Sequence, residues 1–194
     1  MSDFWLGGKL NPVDEVFQWY RLHGNADYIG EPISQVEHML QAALRAQRAG
    51  ADDEVILASF FHDIGHLCAP EQSPQMAGLG VLDHERLGAE YLSQRGFSSK
   101  ITQLVELHVQ AKRYLCHQNP KYYRNLSEAS KGTLHFQGGV MTDQEASEFR
   151  AHPLFVEVLR LRTWDEQAKV PNGEQLSLDD MQDRALQHIT KQVG

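Results

Sequence analysis

The sequence predicts an all-α fold, one bundle of helices around a single core. Three observations carry that prediction. Apolar residues recur at three- and four-residue intervals in segment after segment. Cap residues stand where those segments begin, and glycine or proline marks several of their ends. Strict apolar–polar alternation never lasts long enough for a strand. The 194 residues suffice for one domain, taken as 1–194, with 1–24 as an N-terminal helical extension.

The first helix is expected over Pro12–His23. Asn11 is its N-cap, Pro12 sits at the first helical position, Asp14 and Glu15 fill the first turn, and Gly24 ends it. After a loop, a second helix opens near Ser34, which has capping-box spacing to Glu37, and stops at Gly50. A third, EVILASFFHDIGHL, follows Asp52 and Asp53. It is apolar nearly all round, as a buried central helix must be. Pro70 to Gly80 reads as loop. A fourth helix is expected over 83–95, and a fifth is capped by Ser98 or Ser99 and carries Ile101, Leu104, Val105, His108 and Val109 at helical spacing. Shorter helices open near Ser127 and at Thr142, a stronger one runs from Pro153 to about Ala168, and a last one begins near Ser177.

Composition narrows the function. The formal net charge is −8, which argues against nucleic-acid or anionic-membrane surfaces, since both require a basic field. No apolar run approaches the roughly 20 residues of a membrane span. The start MSDFWLGGKLNP lacks the apolar stretch of a signal peptide, so a cytoplasmic location is expected. Two cysteines make neither a disulfide framework nor a thiolate zinc site. Ten histidines are the unusual feature.

His62-Asp63 lies in the apolar third helix, where a carboxylate and an imidazole are costly unless paired or metal-bound. A hydrogen bond between them would satisfy a lone pair. However, His38, His84 and His108 lie on three other predicted helices, and Asp165 on a further one. Four His and two Asp converging from separate helices is what a metal site inside a bundle needs. Imidazole with carboxylate suits iron, manganese or zinc. Six ligands exceed what a single catalytic ion needs, and a carboxylate can bridge two ions, so two are expected over one, with one or none as the alternative.

Two cations accompany the set. Lys112 stands four residues after His108, and Arg162 three before Asp165, so each shares a helix face with a candidate ligand. Together they suggest an anion beside the metal, phosphate-like in charge. Ser130 and Thr133 can add hydroxyls, and Tyr28 and Glu31 occupy a loop able to cover the site. His66, four residues after His62, is a further ligand, a substrate contact or a structural residue. His23, His117, His135, His152 and His188 are read as surface or capping residues.

The pattern His38 … His62-Asp63 … Asp165 resembles the HD-domain superfamily, and His84 with His108 matches its members that hold two metals. Most such proteins are phosphohydrolases. Further matches, from about Tyr28 to Pro171, are Tyr28-Ile29-Gly30-Glu31-Pro32-Ile33, His62-Asp63-Ile64-Gly65-His66, Lys112-Arg113-Tyr114-Leu115, Gln137-Gly138-Gly139 and Trp164-Asp165. In these the sequence resembles the branch of mixed-valent diiron oxygenases that cleave carbon–phosphorus bonds.

That resemblance implies an HD-domain helical bundle with two iron ions, Fe(II)/Fe(III), and O2 as co-substrate. It implies one iron on His38, His62, Asp63 and Asp165, with Asp63 bridging to a second on His84 and His108. Lys112, Ser130, Thr133 and Arg162 would bind a phosphonate. Tyr28 and Glu31 would close over the substrate and His66 would contact it, with His66 and Lys112 nearest the chemistry. The implied substrate is a small hydroxyphosphonate, either 2-amino-1-hydroxyethylphosphonate, giving phosphate and glycine, or its N-trimethyl analogue, giving glycine betaine. The alternative is a metal-dependent phosphohydrolase acting on a nucleotide or small phosphoester. Oligomeric state is not legible.

Overall fold

The computed structural model describes residues 11–28 and 30–193, and in them the fold is all α, with no strand. Eleven helices follow in order: α1 (Pro12–His23), α2 (Gln35–Arg48), α3 (Asp53–Phe61), α4 (Gly65–Cys68), α5 (His84–Ser93), α6 (Ser99–Gln118), α7 (Pro120–Asn125), α8 (Glu128–Phe136), α9 (Asp143–Arg150), α10 (Phe155–Gln167) and α11 (Leu178–Val193). Residues 1–10 of the expected N-terminal extension, together with Ile29 and Gly194, lie outside the description.

The expected caps are made. The Asn11 side chain accepts from the Val13 N–H, and Ser34 with Glu37 and Thr142 with Glu145 form reciprocal capping boxes. Ser98 and Ser127 cap α6 and α8 more simply, their side chains accepting from the Ile101 and Ser130 N–H groups. Each such cap satisfies backbone N–H groups that have no partner inside the helix.

α3 is the central helix. Every residue from Val55 to Phe61 is buried, because α2, α6, α10 and α11 all pack against it. α1 adds an aromatic cluster to the same core. Tyr20 stacks on Phe60 at 4.5 Å and Phe17 on Phe60 at 5.6 Å between ring centroids. Burying each such ring contributes roughly 1.5–3 kcal/mol.

Three readings are corrected. The segment EVILASFFHDIGHL is not one helix; α3 ends at Phe61, His62-Asp63-Ile64 form a turn, and α4 restarts at Gly65. Apolar periodicity cannot register such a break, since both halves are buried and keep the pattern. α7, after Asn119-Pro120, was not anticipated as a helix. His188 is buried at 7% exposure, stacks against Phe97 and accepts the Ser98 backbone N–H, so it is a core residue and not a surface one.

Two isolated bridges pin the loops that matter for the site. Asp27 pairs with Ser34 ahead of α2, and Gln75 with Val81 ahead of α5. No helix among the described residues is long and apolar enough to cross a membrane.

Candidate metal centre

The break in the α3–α4 segment places Asp63. With His62 at the C-terminal end of α3 and Asp63 in the turn, both side chains face the space between α2, α5, α6 and α10. There they meet His38 from α2, His84 at the first position of α5, His108 from the middle of α6 and Asp165 near the end of α10. All six expected ligands are buried.

They form two triads, His38–His62–Asp165 and Asp63–His84–His108. In the first, His38 Nε2 lies 3.0 Å from His62 Nε2 and 3.3 Å from Asp165 Oδ1. In the second, His84 Nε2 lies 3.3 Å from His108 Nε2 and 3.3 Å from Asp63 Oδ1. Asp63 faces both. Its Oδ2 is 3.3 Å from His62 Nε2 and 3.6 Å from His38 Nε2, while its Oδ1 is 3.5 Å from His108 Nε2. One carboxylate oxygen per triad is the arrangement of a bridging ligand.

The rings are set by their other nitrogens. Nδ1 of His38, His62 and His108 meets the carbonyls of Ala168, Ser59 and Val105 at 2.9, 2.9 and 2.7 Å. A carbonyl only accepts, so each Nδ1 carries a proton and each Nε2 turns a lone pair inward. Such outer hydrogen bonds fix tautomer and orientation around metals. Two facing lone pairs at 3.0 Å repel unless a proton or a cation lies between them. Burial alone would lower the His62 pKa, yet Asp63 and Asp165 outweigh it and hold it at about 9. A metal ion would take the place of that proton. Among the described residues Asp165 Oδ1 has no hydrogen-bond partner although it is buried, which a metal contact would satisfy. The residues therefore fit a pair of ions with N/O ligands.

Sequence details hold this geometry. A side chain at Gly65 would put a Cβ 1.9 Å from the His84 carbonyl oxygen, so the turn after Asp63 and the start of α5 approach closely enough only with glycine. Asp83, just before His84, takes a left-handed φ of 57°. Gly65→Ala should displace His84 and destabilise the fold by about 1–3 kcal/mol. Thermal unfolding and metal analysis check this; unchanged melting with a full metal complement would contradict it.

A cavity of about 290 Å³ opens beside the two triads. Lys112, 3% exposed, lines it and donates from Nζ to Thr133 Oγ1 at 2.9 Å. Burial and the Arg162 guanidinium push the Lys112 pKa down to about 7. A dianion would reverse that shift by favouring the charged ammonium. Arg162 also lines the cavity. Its guanidinium pairs with Asp165 and Glu166, and its Nε donates to Tyr122 Oη at 3.0 Å. Of its five N–H groups, two remain for an anion.

His66 stacks on His84 at 4.0 Å, and its Nδ1 accepts from the Val81 N–H at 3.1 Å. Burial and then His84 hold its pKa well below the usual value, so the ring is neutral with its proton on Nε2. Tyr28 stacks on the candidate ligand His38 at 4.0 Å, and burial, then Asp63 and Asp165, raise its hydroxyl pKa. Gly30, at φ 79°, lets this loop touch α8, where a Cβ would come 2.7 Å from Ala129 Cβ. Glu31 and Ser130 line the cavity too, each in contact with Lys169.

Sequence reasoning missed Lys169, Tyr122 and Glu166. Lys169 stands four residues after Asp165, the offset that singled out Lys112 after His108. The other matched motif divides its labour: Lys112 faces the cavity, whereas Arg113 reaches the carbonyls of Gly138 and Gly139 and the Glu145 carboxylate. That fan of contacts accounts for Gln137-Gly138-Gly139 structurally.

A helical bundle that brings two adjoining His/Asp triads together from separate elements is a scaffold able to hold metal ions. The chain belongs to the HD-domain family, whose model matches residues 36–133. It is 42% identical over 159 residues to the [1-hydroxy-2-(trimethylamino)ethyl]phosphonate dioxygenase (glycine-betaine-forming) of Leisingera caerulea, covering 82% of this chain and 81% of that protein. It is 40% identical over 172 residues to the hydroxymethylphosphonate dioxygenase of Gimesia maris, covering 88% and 83%. An uncharacterized protein, L432, of Acanthamoeba polyphaga mimivirus is 38% identical over 186 residues, covering 95% and 85%.

Proposed function

We propose that this protein is an O2-dependent oxygenase that cleaves the carbon–phosphorus bond of a small 1-hydroxyphosphonate and releases phosphate. The observation that carries the proposal is Asp63, which offers one carboxylate oxygen to each buried triad, next to a cavity lined by the buried cation Lys112. The names of two relatives, both phosphonate dioxygenases, support the same reaction class.

His38, His62, Asp63 and Asp165 would hold one iron, and Asp63, His84 and His108 the other. When bound, an Fe(II)/Fe(III) pair supplies Lewis acidity and one-electron chemistry with O2. The second triad offers fewer protein ligands, so an ion held there would keep positions for the substrate hydroxyl and a phosphonate oxygen. Lys112 binds the phosphonate as a point charge, assisted by the hydroxyls of Thr133 and Ser130 and by the remaining N–H groups of Arg162. The same contacts stabilise the charge that gathers on phosphate as it departs. His66 contributes a neutral N–H donor, and its stacking on His84 keeps it against the metal side of the cavity. Tyr28 covers the centre and Glu31 faces the substrate's far end. The substrates that suit this arrangement are 2-amino-1-hydroxyethylphosphonate and its N-trimethyl analogue. For the primary amine, the overall reaction joins one O2 to one substrate and yields glycine and phosphate, with no other reactant.

Metal replacement tests the proposal. Iron-loaded protein should be active only in the mixed-valent state, so full reduction or full oxidation should silence it reversibly, with the EPR signal of the coupled pair tracking activity. Equal activity of zinc-loaded protein, or turnover without O2, would instead favour hydrolysis by a metal-activated water.

A further inference from the structure

Lys169 stands just beyond α10, lines the cavity, and has no part in the reaction as described above. Its side chain is 12% exposed. Nζ lies 3.1 Å from Glu31 Oε1, 3.2 Å from Ser130 Oγ and 3.6 Å from Glu166 Oε2. The three acceptors come from three places, the loop before α2, α8 and the end of α10. Glu31 and Ser130 each accept a hydrogen bond from the ammonium, while Glu166 lies at ion-pair distance. Nζ also stands 6.0 Å from the centroid of the Tyr28 ring.

Glu31 depends on this contact. Among the described residues, Lys169 is the one side chain that Glu31 hydrogen bonds, and it takes Oε1. The backbone around Glu31 is a loop held by the Tyr28–Ile33 and Glu31–Tyr28 main-chain bonds. Without Lys169, a carboxylate on that loop would be free to turn toward the other positive charges of the cavity, Lys112 and Arg162.

α8 shows the same logic twice. Thr133 and Ser130 are one helical turn apart, and each hydroxyl meets a different lysine, Lys112 and Lys169 respectively. Lys112 makes no ion pair among the described residues, whereas Lys169 already meets Glu31 and Glu166. Lys112 is thus open to an anion, whereas Lys169 is charge-compensated.

We infer that Lys169 is a positioning residue that fixes the Glu31 carboxylate at the far end of the cavity, and thereby sets the preference for a hydroxyphosphonate whose tail carries N–H donors. The inference rests on the phosphonate reading above. Lys169 holds Oε1 and leaves the second oxygen as an acceptor already in place. A pre-oriented acceptor binds its donor without the entropic cost of ordering a loop side chain.

The readout is a selectivity ratio: kcat/KM for 2-amino-1-hydroxyethylphosphonate divided by kcat/KM for hydroxymethylphosphonate, which has no tail. Lys169→Met should lower the ratio about tenfold or more, the scale of one lost charge-assisted hydrogen bond. Lys169→Arg should restore most of it. In a Glu31→Gln background, Lys169→Met should move the ratio no further, because the residue through which it acts is gone. Anaerobic calorimetry with 2-aminoethylphosphonate and methylphosphonate should show the same loss in binding.

A ratio unmoved in Lys169→Met overturns the inference. So does an equal fall with and without Glu31, which would make Lys169 a purely structural residue. Failure of the reading beneath it looks different: iron-loaded wild-type protein would release phosphate from neither compound. The calorimetric pair then still decides on Lys169, since unchanged relative binding in Lys169→Met would refute it and a selective loss would uphold it.

Discussion

Asp63→Ala protein is expected to retain neither metal ion. The argument is geometric: Oδ2 faces His62 and His38, and Oδ1 faces His84 and His108, each within 3.6 Å. Removing the side chain takes a member from the second triad, an oxygen that faces the first, and the carboxylate that would join two ions. It also removes negative charge from a buried site rich in imidazole. Burial alone would raise the Asp63 pKa, but His62, with the imidazoles of His108 and His84 beside it, outweighs burial and holds it well below the usual carboxylate range. His108→Ala removes a ligand from the second triad alone, so it should leave close to one ion bound. Metal analysis of the two purified variants separates these outcomes. Two equivalents on Asp63→Ala would refute the bridge, and equal losses in both variants would show that the triads do not bind separately.

Lys112→Ala should keep its metals and lose the phosphonate. Lys112 is buried against Thr133 and faces no carboxylate within ion-pair distance among the described residues. Losing a charge-assisted contact to a dianion costs roughly 1.5–3 kcal/mol, or about one to two orders of magnitude in affinity. Arg162→Ala should weaken binding too, with an added effect on the metal. Its guanidinium pairs with the ligand Asp165 and holds that carboxyl well below the usual range, against the opposing effect of burial. Anaerobic binding of methylphosphonate, read beside metal content, tells the two apart. Unchanged affinity in both variants would place the anion elsewhere.

The contrast between these two cations shows what the sequence made legible. Spacing correctly put Lys112 and Arg162 beside candidate ligands, since a three- or four-residue offset on a helix is a spatial statement. It could not say that Arg162 is already engaged by Asp165, Glu166 and Tyr122, because Tyr122 comes from α7, a helix of six residues with no buried side chain to give it periodicity. The ligand helices were readable for a related reason. Imidazoles on apolar faces at His38 and His108 are costly enough to demand partners. His84 was less so, as it opens α5 behind a left-handed Asp83 and its inward aim depends on how closely Gly65 approaches. Division into two triads was not legible from residue types, since it rests on which oxygen of Asp63 faces which imidazoles.

The break at His62-Asp63-Ile64 is the other instructive difference. A continuous helix would carry His62 and Asp63 100° apart around its axis, on different faces. Both nevertheless reach the same centre, and the restart at Gly65 brings His66 onto His84. Hydrophobic pattern is silent about it, since a fully buried helix and a fully buried turn are equally apolar. Lys169 was missed because it lies past the end of α10, where helical spacing no longer guides the eye.

The most direct test of the central claim is the stoichiometry of O2 consumed to phosphate released, measured with iron-loaded protein and 2-amino-1-hydroxyethylphosphonate in a closed oxygen-electrode cell. The reaction as balanced requires one O2 for each phosphate and none released under anaerobic conditions. Phosphate formed without O2 uptake would contradict the account and make the paired triads the site of a hydrolase.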